Sequence, residues 1–123
     1  MNKENVLKEF QVYTNAWVEN FNKGNVQYCI DAYVDDARMI VKGLGKFEGK
    51  EEIAGFWNEL TKKANHIEYL NTNILVINEN TIHLNSDWKM NIGEGIITLE
   101  EWVKQEDNTW KLVNDCFQVE KQY

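Results

Sequence analysis

The sequence predicts one small α+β domain, with helices in its first half and an antiparallel meander of strands in its second. Two observations carry this. Apolar residues in the first sixty positions recur at three- and four-residue steps, and after about residue 66 four strand-like runs follow, joined by only a few turn-forming residues each. The 123 residues suit one domain, and a composition of 43% hydrophobic with 27% charged residues supports a core without metal or disulfide staples.

The first helix spans about residues 3–22, where Leu7, Phe10, Tyr13, Trp17 and Phe21 share one face. Asn22-Lys23-Gly24-Asn25 is a stop and a restart: Gly24 suits the left-handed position beyond a helix end, and Asn25 suits a cap. A short helix over about 26–34 follows, with Val26, Cys29, Ile30 and Tyr33 on its apolar face and Asp35-Asp36 at its end. Arg38 to Val41 reads as a strand, Gly43-Leu44-Gly45 as a turn and Lys46 to Glu48 as a short return strand. A third helix over about 50–64 presents Ile53, Phe56, Trp57 and Leu60. The strands then run Ile67 to Ile77, Thr81 to Met90, Ile96 to Gln105 and Trp110 to Glu120, with turns at 78–80, 91–95 and 106–108. The apolar stripes of the helices need a partner, so the helices must cover one face of the sheet.

Several motifs in this order resemble one family. Trp17-Val18-Glu19-Asn20-Phe21-Asn22-Lys23-Gly24-Asn25 is similar to the aromatic helix and "N-x-G-D" junction of nuclear-transport-factor-2-like proteins. Tyr33-Val34-Asp35-Asp36-Ala37 resembles their "aromatic-x-D-D-A" segment, and Gly49-Lys50-Glu51-Glu52-Ile53 the "G-K-E-x-I" start of their third helix. Glu101-Trp102-Val103-Lys104, with Asn108-Thr109-Trp110-Lys111-Leu112 and Asp115, resembles their last strand pair. The resemblance covers nearly the whole chain and points to the ketosteroid-isomerase-like and SnoaL-like members. It implies a cone-shaped roll, in which helices pack on a strongly curved, mainly antiparallel sheet around a pocket. It also implies a homodimer through the outer sheet face. Fold alone leaves function open, because enzymes, binding modules and assembly domains share this one.

The isomerase mechanism needs a carboxylate base and an oxyanion hole built from a tyrosine and a protonated acid. The resemblance puts Trp17 at the tyrosine position and Val41 at the base position, while Glu100 keeps the third group. A valine takes no proton, so that mechanism is disfavoured. Strand alternation sends Thr98, Glu100 and Trp102 to one face, and Val113, Asp115 and Phe117 to one face of the last strand. The resemblance makes these faces concave. Tyr13, Trp17, Tyr33 and Trp57 from helices, with Met39 and Val41 from the first strand, complete an aromatic-walled pocket for a small hydrophobic or aromatic molecule. Glu100 and Asp115 in that setting are candidates for general acid/base work. The competing reading makes them structural, bonded to indole, phenol or backbone donors, with the aromatics as plain core. At the level of the whole protein, the competing function is a non-catalytic homodimeric binding or assembly module.

Other features argue against further classes. A net charge of −7 with scattered lysines disfavours nucleic acid and anionic membrane surfaces. No apolar block suggests a leader or a membrane span, so a cytoplasmic protein is expected. Cys29 and Cys116 lack a Cys-x-x-Cys pattern and read as buried free thiols. His83, Asn85 and Asp87 alternate as a polar surface row, with too few convergent ligands for a metal, and no cofactor motif is present. Trp88 and Trp110 read as sheet packing or dimer interface.

Overall fold

A computed structural model describes all residues, Met1–Tyr123. Helix α1 spans Lys3–Asn22; the Asn2 side chain caps it by accepting from the backbone N–H of Asn5, and the helix buries Phe10, Trp17 and Phe21. Gly24, with φ +84°, makes the left-handed turn into α2, Val26–Asp31. Strand β1 is Tyr33–Lys42, β2 Gly45–Glu48, and α3 Lys50–Leu60. The second half is β3, Ile67–Asn78; β4, Thr81–Met90; β5, Gly93–Lys104; and β6, Trp110–Gln122. They form one six-stranded sheet in the order β2-β1-β6-β5-β4-β3, antiparallel throughout except where β1 lies parallel to β6. The sheet is curved and unclosed, with the helices packed on its concave face, the α+β cone that the sequence implies.

Several boundaries differ from the sequence reading, each for a physical reason. The second helix stops at Asp31, and Tyr33 opens β1 instead of ending a helix. The sheet wins there: Tyr33 sits opposite Leu112 on β6, and the Leu112 N–H donates to the Ala32 carbonyl at 2.8 Å. Asp35 and Asp36 are therefore strand residues, in the stretch where β1 bulges away from β6 between Tyr33 and Arg38. Helix α3 ends four residues early, at Leu60, and Ala64 closes the following turn by donating to the Leu60 carbonyl. Gly93 and Gly95 belong to β5, so the turn there shrinks to Asn91-Ile92.

Of the three irregularities between β5 and β6, two flank the acid-bearing stretch. Ile97 pairs with Phe117 but Leu99 pairs with Cys116, so Thr98 is an extra residue on β5. Glu101 pairs with Asn114 but Trp102 with Leu112, so Val113 is an extra residue on β6. Each bulge bends its strand and inverts the alternation beyond it. Thr98 is consequently exposed, donating to the Cys116 carbonyl, and Val113 leaves the inward row to Leu112. Both residues were expected on the concave face; the bulges displace them.

Candidate functional site

The cavity under the sheet is built by two helices and four strands. Trp17 of α1 and Trp57 of α3 form the helical wall; Ile67 and Tyr69 come from β3, Trp88 and Met90 from β4, Ile97 and Glu100 from β5, and Leu112, Asp115 and Phe117 from β6. It encloses about 340 Å³ of atom-free space counting its mouth, yet only about 20 Å³ of it is wide enough for the centre of a water molecule. The aromatic walls brace one another. The rings of Trp57 and Phe117 stack at 6.1 Å, and Trp17 meets Trp57 edge-on at 5.5 Å.

Glu100 and Asp115 are direct register partners across β5 and β6, between the two bulges, and both project into this cavity. They are 3% and 4% exposed, so two carboxyl groups share one apolar enclosure. Glu100 is held by two aromatic donors and Asp115 by one. Tyr69 Oη donates to Glu100 Oε2 at 2.7 Å and Trp102 Nε1 to Oε1 at 2.8 Å. Tyr33 Oη donates to Asp115 Oδ2 at 2.6 Å, and Trp57 Nε1 donates in turn to Tyr33 Oη at 3.1 Å.

Electrostatics separates the two acids. Burial pushes the Asp115 carboxyl up to about 8; the nearby Glu100 charge adds to this, and the Tyr33 hydrogen bond only partly offsets it. Burial also raises Glu100, but donors on both of its oxygens, Tyr69 and Trp102, favour its charged form. The two carboxyls therefore titrate as one coupled pair, with burial raising the proton affinity of both. The phenols of Tyr33 and Tyr69 are both held well above their ordinary value, first by burial and then by the neighbouring acids, so they remain neutral donors.

The expected site residues divide as follows. Trp17, Trp57, Glu100, Asp115 and Phe117 line the cavity. Tyr33 and Trp102 do not line it but hold its acids, so they stand one layer behind the wall. Met39 and Val41 are buried core beneath β1 and are absent from the wall, because β1 sits on the far side of β6 from the cavity strands. Tyr13 lies with Tyr28, Trp102 and Trp110 at a separate surface hollow. Trp17 spends its N–H on the Cys29 carbonyl at 3.2 Å.

Ile67, Tyr69, Trp88, Met90, Ile97 and Leu112 also line the wall and are absent from the site expected from sequence; of these, Tyr69 and Trp88 bring polar atoms. The signal existed: Ile82, Leu84, Ser86, Trp88 and Met90 alternate strictly, which puts Trp88 with the buried face of β4. Trp88 Nε1 is also the only buried side-chain polar atom without a protein hydrogen-bond partner. Burying such a donor unpaired costs about 1–3 kcal/mol.

Elsewhere the chemistry is quieter. Cys29 is buried and its thiol, raised to about 12 by burial, is inert as a nucleophile; Cys116 is only partly covered, contrary to expectation. His83 meets Glu101, Asn85 meets Asn73 and Asp87 meets Asn71 on the convex side, so the polar row is a side-chain lattice. No three His, Cys, Asp or Glu side chains converge as a metal site would require, and no helix is long and apolar enough to cross a membrane.

Solved structures with the same architecture place the domain among helix-on-curved-sheet cones. A ketosteroid isomerase-like protein of Erwinia carotovora atroseptica superposes with a TM-score of 0.76 at 15% identity, covering 90% of this chain and 93% of that one. A putative scytalone dehydratase of Novosphingobium aromaticivorans gives 0.80 at 10% identity, over 95% and 85% of the two chains. A hexachlorocyclohexane dehydrochlorinase of Novosphingobium barchaimii gives 0.74 at 14% identity, over 98% and 90%. The chain has the nuclear-transport-factor-2-like, cystatin-like fold. No protein-family profile and no curated protein sequence matches it.

Proposed function

We propose that the cavity binds a small, flat, partly apolar molecule and moves a proton on it, with Asp115 as the acid and Glu100 as the base. The observation that supports this is the acid pair itself: two carboxyls in register, in one apolar enclosure, with their proton affinities set apart by unequal donors. Only Oδ2 of Asp115 is held by a protein donor, which leaves Oδ1 to deliver a proton into the cavity. Isomerisation, ring closure or elimination fits such a pair. Among the structural neighbours, a putative dehydratase and a dehydrochlorinase bear names for eliminations. The ketosteroid isomerase mechanism is disfavoured, because Val41 and Trp17 occupy the positions of its base and its tyrosine.

A ¹³C-carboxyl NMR titration tests the reading. The pair should titrate in two separated steps, both above the ordinary carboxylate range and one near pH 8. Two ordinary titrations near pH 4 would remove the acid/base proposal.

A second reading, a non-catalytic dimeric module, draws on the convex face. Leu75 and Ile77 are 62% and 45% exposed there, opposite the inward Ile74 and Val76 of the same strand. Light scattering that finds a monomer at micromolar concentration ends that reading.

A further inference from the structure

We propose that Trp88 orients the ligand of this cavity, by donating a hydrogen bond from its Nε1–H to an oxygen acceptor on an uncharged, mostly apolar molecule. This rests on the small-molecule reading above and adds to it a residue and a ligand chemistry.

The five indoles of the chain make the first argument. Trp17 donates to the Cys29 carbonyl, Trp57 to Tyr33 Oη, Trp102 to Glu100 and Trp110 to Glu9, at 2.8 to 3.2 Å. Trp88 alone has no acceptor, although it is only 6% exposed and lines the cavity wall. A fold that pairs four indoles and leaves the fifth unpaired on the wall of this cavity has a donor set aside there.

The second argument is how the ring is held. Trp88 lies directly opposite Gly95 on β5, and a Cβ built on that glycine would strike the Gln118 carbonyl oxygen of β6 and stand 2.7 Å from Cζ2 and 2.9 Å from Cε2 of the indole. The β6 backbone and the ring together fill the space that a side chain at 95 would take. Its other contact is edge-on to Phe117, with centroids 6.4 Å apart at 88°. A ring seated on the backbone and bounded by a second aromatic is held in place before any ligand arrives, which reduces the ordering cost of binding.

Charge fixes the class of ligand. No Lys, Arg or His lines the cavity, whereas two acids do. A carboxylate or phosphate would be buried beside Glu100 without a counter-charge. A protonated amine is donor-only and offers no acceptor for the indole. A carbonyl, ether or hydroxyl oxygen on a compact ring skeleton satisfies both conditions. The cavity is nearly closed, so wall side chains must part to admit such a skeleton.

The test uses 2-tetralone and tetralin, which share a skeleton and differ in the acceptor oxygen, on ¹⁵N-labelled protein with its indole signals assigned by triple resonance. The Trp88 indole N–H signal should move downfield with 2-tetralone and not with tetralin. The ketone should also bind about tenfold tighter than the hydrocarbon. Trp88→Phe, which keeps an aromatic ring and removes the donor, should abolish that preference. If the variant does not fold, the wild-type indole signal decides. The proposal is overturned if both probes move that signal alike, if the wild type shows no preference, or if Trp88→Phe retains it. Binding of neither probe overturns the cavity reading and this inference together. Failure of the acid/base reading appears instead in the carboxyl titration and leaves the indole response intact.

Discussion

Glu100 and Glu101 are adjacent on β5, and alternation sends one into the cavity and the other to the convex face. Glu100 has an aromatic enclosure and another acid opposite it, and burial raises its affinity for a proton. Glu101 meets His83 Nε2 at 3.0 Å and accepts from Asn114 Nδ2 at 2.7 Å; these contacts, His83 first, hold its carboxyl below the ordinary value. One residue type on one strand thus supplies a reluctant acid on one side and a firmly charged anion on the other. Surroundings determine the chemistry, and the two faces carry opposite pH linkage. Groups with raised folded values, Glu100 and Asp115, lend stability at low pH that is lost as pH rises through the folded value. Glu101, with a lowered value, lends stability above its unfolded value that is lost as pH falls through the folded one.

The largest effect that probes this contrast is expected from Asp115→Asn. Between an unfolded value near 4 and the folded value of about 8, the native protein keeps a proton that the unfolded chain has released. Wild-type stability should decline across that window by up to about 1.4 kcal/mol per pH unit. The amide variant cannot ionise and should show a flatter profile, so its advantage over wild type grows from pH 4 to pH 8. Urea unfolding at several pH values measures this, and parallel profiles for the two proteins would break the comparison.

A smaller effect is expected from Tyr69→Phe. Loss of the phenol donor removes a charge-assisted hydrogen bond of about 1.5–3 kcal/mol and should push the Glu100 titration higher, because that bond favours the charged form. Carboxyl NMR on the variant checks the direction; a downward move contradicts it. The smallest effect belongs to the convex face. Glu101→Gln should change stability by less than about 1 kcal/mol at pH 7, as partly exposed ion pairs do. It should also leave the cavity titration unmoved. A shift in the Glu100 and Asp115 steps would mean that the two faces communicate.

The architecture was largely legible because helical and strand periodicities differ and the turns are polar. The acid pair was legible for the same reason: Glu100 and Asp115 each fall on an alternating strand beside apolar partners. The errors have a common physical source. A bulge leaves no mark on a hydrophobic pattern, so Thr98 and Val113 were assigned to the wrong face. Tyr33 fits the apolar stripe of a short helix, and only its pairing opposite β6 shows that it begins a strand. Met39 and Val41 are inward as predicted, but strand order, which the sequence does not state, removes them from the cavity wall. Gly95 has the residue type of a turn, whereas within β5 it makes room for the Gln118 carbonyl of β6 and the Trp88 ring of β4.

Strand β3 forms one border of the sheet, and such a border invites other chains to add themselves by backbone pairing. Its twelve residues are long enough for that, but Asn71 adopts a φ of +55° where the pairing with β4 slips between Leu70 and Asn73. The kink divides the border into two short segments that do not lie in one flat line. A foreign strand can match one segment at a time, which guards the protein against fibril-like stacking without a proline anywhere in its sequence.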